Sequence, residues 1–127
     1  MRILIANDER DALMTLGIML RSEGFQVELV DGGAAVAKAV REFRPEAVVL
    51  DLEMPDRDGY AVAQDLRREY GAECPILIAI STHDGAADQR LAEDSGITHH
   101  VSQPYDHDAL LGLLVALRKA NDPSVQA

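Results

Sequence analysis

Short apolar runs recur along this chain, and a stretch with helical spacing follows each one. The runs fall at residues 2–6, 25–30, 47–50, 76–80 and 97–102. Runs of this length bounded by turn residues predict strands. Leu13, Leu16 and Leu20 follow the first run, Val36, Val40 and Phe43 the second, and Val62, Leu66 and Tyr70 the third. These spacings place one apolar stripe on each helix. A weaker helix is predicted over 86–95, where Leu91 is the one large apolar residue. The last helix, from Asp106 to about Ala120, carries Leu110, Leu111, Leu113, Leu114, Val115 and Leu117. Gly24, Pro45, Gly71 and Gly96 supply the breaks, and Asn7 or Asp8 and later Asp106 supply helix caps.

Strand–helix alternation repeated five times predicts an α/β fold, a parallel five-stranded sheet covered by helices on both faces. The runs at 47–50 and 76–80, like that at 2–6, are apolar almost throughout, as strands buried on both faces should be. The second and fifth carry Gln26, Glu28, His99 and His100, and so belong at the edges. The order 2-1-3-4-5 meets both conditions and puts the topological switch point between the first and third strands. Asp8 and Asp51, each just past or at the end of one of those strands, then flank one crevice, with Ser81 at the end of the fourth.

Two carboxylates about 5 Å apart repel by roughly 3 kcal/mol at an effective dielectric near 20. They must share a proton, separate or bind a cation. Oxygen donors open to water favour Mg²⁺ over zinc, and His83, His99, His100 and His107 have no zinc spacing. A carboxylate beside Mg²⁺ can attack phosphorus and form an aspartyl phosphate, with the Ser81 hydroxyl donating to a phosphoryl oxygen. The competing explanation is that Asp8 and Asp51 only cap helices. The formal net charge of −10 argues against nucleic acid or an anionic membrane as partner. No run reaches transmembrane length, no signal-peptide pattern opens the chain, and the single cysteine, Cys74, fits a half-buried thiol in a reducing cytoplasm.

The set Asn7-Asp8-Glu9, Asp51-Leu52-Glu53-Met54-Pro55, Asp58-Gly59, Ser81 and Gln103-Pro104-Tyr105, in this order, resembles the receiver domain of bacterial two-component response regulators. The resemblance covers residues 1–120, leaving 121–127 as a polar tail. It implies a flavodoxin-like (βα)5 three-layer sandwich. It also implies Asp51 as phosphoacceptor, Asp8 as principal metal carboxylate, Glu53 as donor of a main-chain carbonyl to Mg²⁺, and Ser81 as the hydroxyl that follows the phosphoryl group. Glu53 and His83 stand where the family tunes the lifetime of the acyl phosphate.

Three positions depart from the family pattern. Asn7 stands where a second acid is usual and would reach the ion through a water, so weaker Mg²⁺ binding is expected. Gln103 replaces a lysine, and the chain's only lysines, Lys38 and Lys119, belong to helices away from the crevice. A neutral donor to phosphate in place of a charged one removes on the order of 1–2 kcal/mol. That is about a tenfold loss in how far phosphorylation shifts a two-state equilibrium. Arg57 is a possible substitute cation. His100 takes the place of the switch aromatic on the fifth strand and can change charge near neutral pH.

The resemblance implies a stand-alone receiver in a cytoplasmic phosphorelay, with a histidine kinase or phosphotransfer protein upstream and a protein target downstream. No turnover enzyme is expected. A haloacid-dehalogenase-like phosphatase would need a second aspartate two residues after the nucleophile, where this chain has Glu53. A flavin site would need a hydroxyl-rich first loop in place of Asn7-Asp8-Glu9. With no effector region after the last helix, output must leave through a surface. Leu111 and Val115, surplus to a stripe of Leu110, Leu113, Leu114 and Leu117, suggest a partner or a homodimer through the fourth helix, fifth strand and fifth helix. The rival reading is a pseudo-receiver, the same fold used as a phosphorylation-independent binding or dimerisation module. Gln103 and Asn7 are its grounds.

Overall fold

The computed structural model describes residues 1–81, 86–102 and 107–120, without the side chains of 86, 87, 89 and 102. The expectations for His83, Gln103, the Pro104-Tyr105 turn, the Asp106 cap and the tail lie outside those residues. The elements are β1 (Arg2–Ala6), α1 (Arg10–Ser22), β2 (Gln26–Val30), α2 (Val36–Phe43), β3 (Ala47–Asp51), α3 (Gly59–Tyr70), β4 (Ile76–Ser81), α4 (Ala86–Asp94), β5 (His99–Ser102) and α5 (His107–Ala120). Single 3-10 turns at Gly33–Ala35 and Gly71–Glu73 precede α2 and β4. All strands pair in parallel in the order β2-β1-β3-β4-β5, as expected for a flavodoxin-like sheet.

Alternation along the central strands divides the core. Leu4, Ala6, Val48, Leu50, Leu77 and Ala79 pack under α2, α3 and α4. Ile3, Ile5, Ala47, Val49, Ile78 and Ile80 pack under α1 and α5. Every side chain of β3, Asp51 included, is buried. A strand covered on both faces offers polar groups no outlet except its ends, so chemistry collects at the carboxyl edge.

Several boundaries differ from expectation for local reasons. β5 begins at His99, because the Ile97 amide donates to the Ala92 carbonyl (2.9 Å) and Ile97 packs into the core below α4. The Phe25 amide returns to the Leu20 carbonyl (3.1 Å), so β2 starts one residue later. The N-cap of α1 is Glu9, whose side chain makes no capping bond. Neither Asn7 nor Asp8 takes the cap position: the Asn7 Oδ1 accepts from the Glu9 amide (2.8 Å), and the Asp8 side chain shares a hydrogen bond with Asp51. On α5, Leu110 and Leu114 alone are fully buried. Leu111, Leu113, Val115 and Leu117 are all half-buried against the same core, so Leu111 and Val115 do not stand apart as surplus.

α4 is held by polar bonds at its carboxyl end more than by apolar packing. Leu91, its one large apolar residue, is 44% exposed, while Ala92 and Ser95 are buried. Gln64 of α3 donates to the Ser95 Oγ (3.2 Å), which donates to the Leu91 carbonyl (2.7 Å). Arg67 of α3 donates to the Gly96 carbonyl (2.6 Å). Gly96 sits at φ +89°, and a Cβ there would lie 2.6 Å from the Arg67 Nε. Gly96→Ala is therefore expected to destabilise the fold by about 1–2 kcal/mol from the left-handed backbone alone. That is a fall of roughly 5 °C in Tm, readable by thermal denaturation. Hydrogen exchange in the same variant should rise in α4 first.

Candidate functional site

The crevice is built from strand ends and one tight loop. Asp51 closes β3 opposite Ile80 of β4, and the Leu52 amide extends the pairing by donating to the Ile80 carbonyl (3.0 Å). The chain then reverses through residues 52–58. Gly59 is required for that reversal, because a Cβ there would meet the Leu52 Cα at 2.8 Å and the Asp51 carbonyl at 3.0 Å. Asp58 caps α3 by accepting from the Tyr60 amide (2.9 Å). The Glu53 amide donates to the Asp51 Oδ1 (2.9 Å) and fixes the rotation of that carboxylate.

Asp51 is only 8% exposed. Its proton affinity is raised, first by burial and then by the charges of Asp8 and Glu53 and a hydrogen bond shared with Asp8. The Glu53 amide works in the opposite direction without cancelling the effect. Asp8 itself is exposed beyond the end of β1, so it closes the crevice from the solvent side. Asn7 is buried, its amide donating to the Val30 carbonyl of β2 (3.2 Å). Ser81, buried at the end of β4, donates from Oγ to the Glu53 Oε1 (3.4 Å). The structure thus brings Asp8, Asp51, Glu53 and Ser81 together.

The Glu53 side chain is the residue that sequence reasoning undervalued. The sequence points to its main-chain carbonyl and to a part in acyl-phosphate lifetime, but not to the contact its carboxylate makes with Ser81 or the charge it adds beside Asp51. Nothing in the local pattern announces a contact between positions 28 apart in sequence. Arg57 does not reach the crevice as a substitute cation. It pairs with Asp65 of α3, which also takes Arg68 at 3.6 Å. His100 lies opposite Ala79 on β5, and its Nε2 is buried without a hydrogen-bond partner among the described residues. His99 meets the Thr98 hydroxyl through Nδ1 (3.0 Å), and His107 is exposed. Among the described residues no three His, Cys, Asp or Glu side chains are grouped to hold a metal. Cys74 is half-buried, with its thiol pKa raised by burial. No helix among the described residues is long and apolar enough to cross a membrane.

A parallel sheet of this order, with acidic groups meeting at its switch point and a hydroxyl on the next strand, defines a class of doubly wound domains that bind at their carboxyl edge. The family model for the response regulator receiver domain matches residues 3–115, and the chain belongs to that family. The DNA-binding response regulator MtrA of Mycolicibacterium paratuberculosis is 33% identical over 121 residues, covering 95% of this chain and 52% of the relative. The response regulator MprA of Mycobacterium avium is 32% identical over 127 residues, covering 100% of this chain and 55% of the relative. Among solved structures, a Francisella response regulator receiver domain superposes with a TM-score of 0.87 at 19% identity, over 95% of this chain and 98% of that one. A signal receiver domain from Bermanella marisrubri gives 0.80 at 29% identity, over 91% and 96%. The chain spans about half the length of the curated relatives it matches, so they lend no support to a stand-alone arrangement.

The raised proton affinity of Asp51 has a consequence for stability. Its ionised form is penalised in the folded chain relative to the unfolded one. The group therefore favours folding below its unfolded pKa, and that contribution is lost as pH rises through the higher folded value. Asp51→Asn should melt above wild type at pH 7 in the absence of divalent ions. The gap should narrow as pH is lowered through the raised folded pKa and close below the ordinary carboxylate range, where both proteins carry a neutral group.

Proposed function

We propose that this receiver domain, residues 1–120, accepts a phosphoryl group on Asp51 with Mg²⁺ in a cytoplasmic two-component phosphorelay, and signals through protein contacts. The observation that carries the reading is the convergence of one buried strand-end carboxylate, Asp51, with Asp8 on one side and Ser81 on the other. Response regulators take their phosphoryl group from histidine kinases or phosphotransfer proteins, and phosphorylation on aspartate is general to the family. The DNA binding in the name of one relative belongs to that longer protein.

The residues present fit Mg²⁺. Asp8 and Asp51 offer carboxylates, Glu53 a main-chain carbonyl and Asn7 a contact through water, an all-oxygen set that leaves room for the waters this ion keeps. Burial first, and then the charges of Asp8 and Glu53, raise the proton affinity of Asp51, and a cation would relieve that penalty on the carboxylate. When bound, the ion would neutralise charge on the transferring phosphoryl group. The chain's own groups do the rest. The Glu53 amide holds Oδ1 of Asp51, which orients the carboxylate for attack through its other oxygen. The new O–P bond forms as the N–P bond to a donor phosphohistidine breaks, and the imidazole leaves with the electron pair. Ser81 then exchanges its bond to Glu53 for one to a phosphoryl oxygen. Gln103 at the family's lysine position is uncharged, so the resulting shift between states would be smaller than a lysine would give.

The pseudo-receiver reading keeps one specific support. Among the described residues Arg57 pairs with Asp65 of α3 and not with a crevice carboxylate.

Intact-mass measurement after incubation with Mg²⁺ and a small phosphodonor separates the two. A Mg²⁺-dependent phosphoryl adduct is expected on the wild type and not on Asp51→Ala. Its absence from a folded wild type, with a donor active on another receiver, would establish the pseudo-receiver. Gln103→Lys should enlarge the phosphorylation-induced population shift by about tenfold. Mg²⁺ at ten times its Kd should raise wild-type stability by about 1.4 kcal/mol, with a smaller gain in Asp8→Ala, both measured by chemical denaturation.

A further inference from the structure

The loop that carries Glu53 is fastened at two ends, and only the inner end belongs to the site described above. Its outer end is held by Asp56. The two carboxylate oxygens of Asp56 accept from two successive amides, Gly33 (3.1 Å) and Ala34 (3.0 Å), which open the 3-10 turn before α2. Those amides begin a helical turn and have no partner within it, so the carboxylate answers a need that the fold creates. Bonds of this kind are charge-assisted, and the two amides hold the Asp56 carboxyl below the usual carboxylate range.

The glycines opposite are shaped to this contact. Gly32 has φ −174°, extended backbone that any residue adopts, so its conformation does not call for glycine. Space does: a Cβ at Gly32 would lie 2.6 Å from the Asp56 Oδ2. A Cβ at Gly33 would meet the Arg57 Cβ and carbonyl at 3.1 Å. The β2–α2 and β3–α3 loops are therefore interlocked at Asp56, three residues after Glu53, while the Glu53 amide and Gly59 lock the inner end.

From this geometry we infer that Asp56 is a positioning residue for phosphotransfer, setting the Glu53 carbonyl for the metal by tying its loop to the start of α2. The inference rests on the receiver reading. Supports of a ligand typically change metal affinity by roughly 10–100-fold when removed. Asp56 acts at one further remove, and an effect of roughly fivefold is expected.

The test is calorimetric titration of Mg²⁺ into the full chain and its variants at pH 7, with folding verified by circular dichroism. Asp56→Ala, which removes the carboxylate, and Gly32→Ala, which expels it from the other loop, should each weaken Mg²⁺ binding by roughly fivefold. Asp56→Asn keeps one acceptor oxygen and should fall between. The double variant should bind no more weakly than the weaker single, because both changes break one contact. Unchanged Kd in Asp56→Ala and Asp56→Asn, or losses that multiply in the double variant, would overturn the proposal and leave the receiver reading standing. A wild-type chain that binds no Mg²⁺ would overturn both.

Discussion

The structure depends on three adjacent strands, β1, β3 and β4, being covered on both faces. Their backbone groups are satisfied by neighbouring strands, and nearly all their side chains are aliphatic. Such strands can carry charge only where they stop. Asp51 occupies that limit: it is the last residue of β3, paired in the sheet yet adjacent to water through Asp8. The core and the candidate site are thus two sides of one constraint.

A buried carboxylate beside other acids is unstable in its charged form, and the crevice is organised around that difficulty. One amide, from Glu53, offsets part of the burial, while Asp8 and Glu53 add to the repulsion. A domain that holds this arrangement stores a preference for a cation, a proton or a covalent modification at Asp51. The receiver family's chemistry is of this kind, and the match over residues 3–115 places the chain within it. The contact from Ser81 to Glu53 shows that the hydroxyl expected to follow a phosphoryl group already has an anionic oxygen as partner.

Away from the crevice, polar bonds do work that aliphatic packing does in the sheet. Gln64 and Arg67 of α3 hold the carboxyl end of α4. Arg118 of α5 donates to the Glu23 carbonyl (2.9 Å) at the end of α1 and lies 4.2 Å from the Phe25 ring centroid. Among the described residues the large exposed apolar side chains fall on α1, where Met14 and Ile18 are 52% and 65% exposed, and at Leu91 on α4, not on the α5 positions that the pattern singles out. Leu111, Leu113, Val115 and Leu117 of α5 are instead half-buried against the core on the α1 side of the sheet.

Much of this was legible in the sequence by itself. Period and breakers located every strand and α-helix within a few residues, and the contrast between the apolar first, third and fourth runs and the polar second and fifth decided strand order. Those signals are local or compositional, so no coordinates are needed to read them. The strand-end placement of Asp51 and Ser81 followed from the same reading. What tertiary structure alone decided are contacts between residues distant in sequence: Glu53 with Ser81, Asp56 with Gly33 and Ala34, Arg57 with Asp65, Arg67 with Gly96. A long polar side chain on a loop can satisfy itself in many directions, and its own neighbours do not select among them. Only the packed sheet, by bringing two loops within reach and leaving a glycine where a carboxylate must pass, fixes which partner it takes.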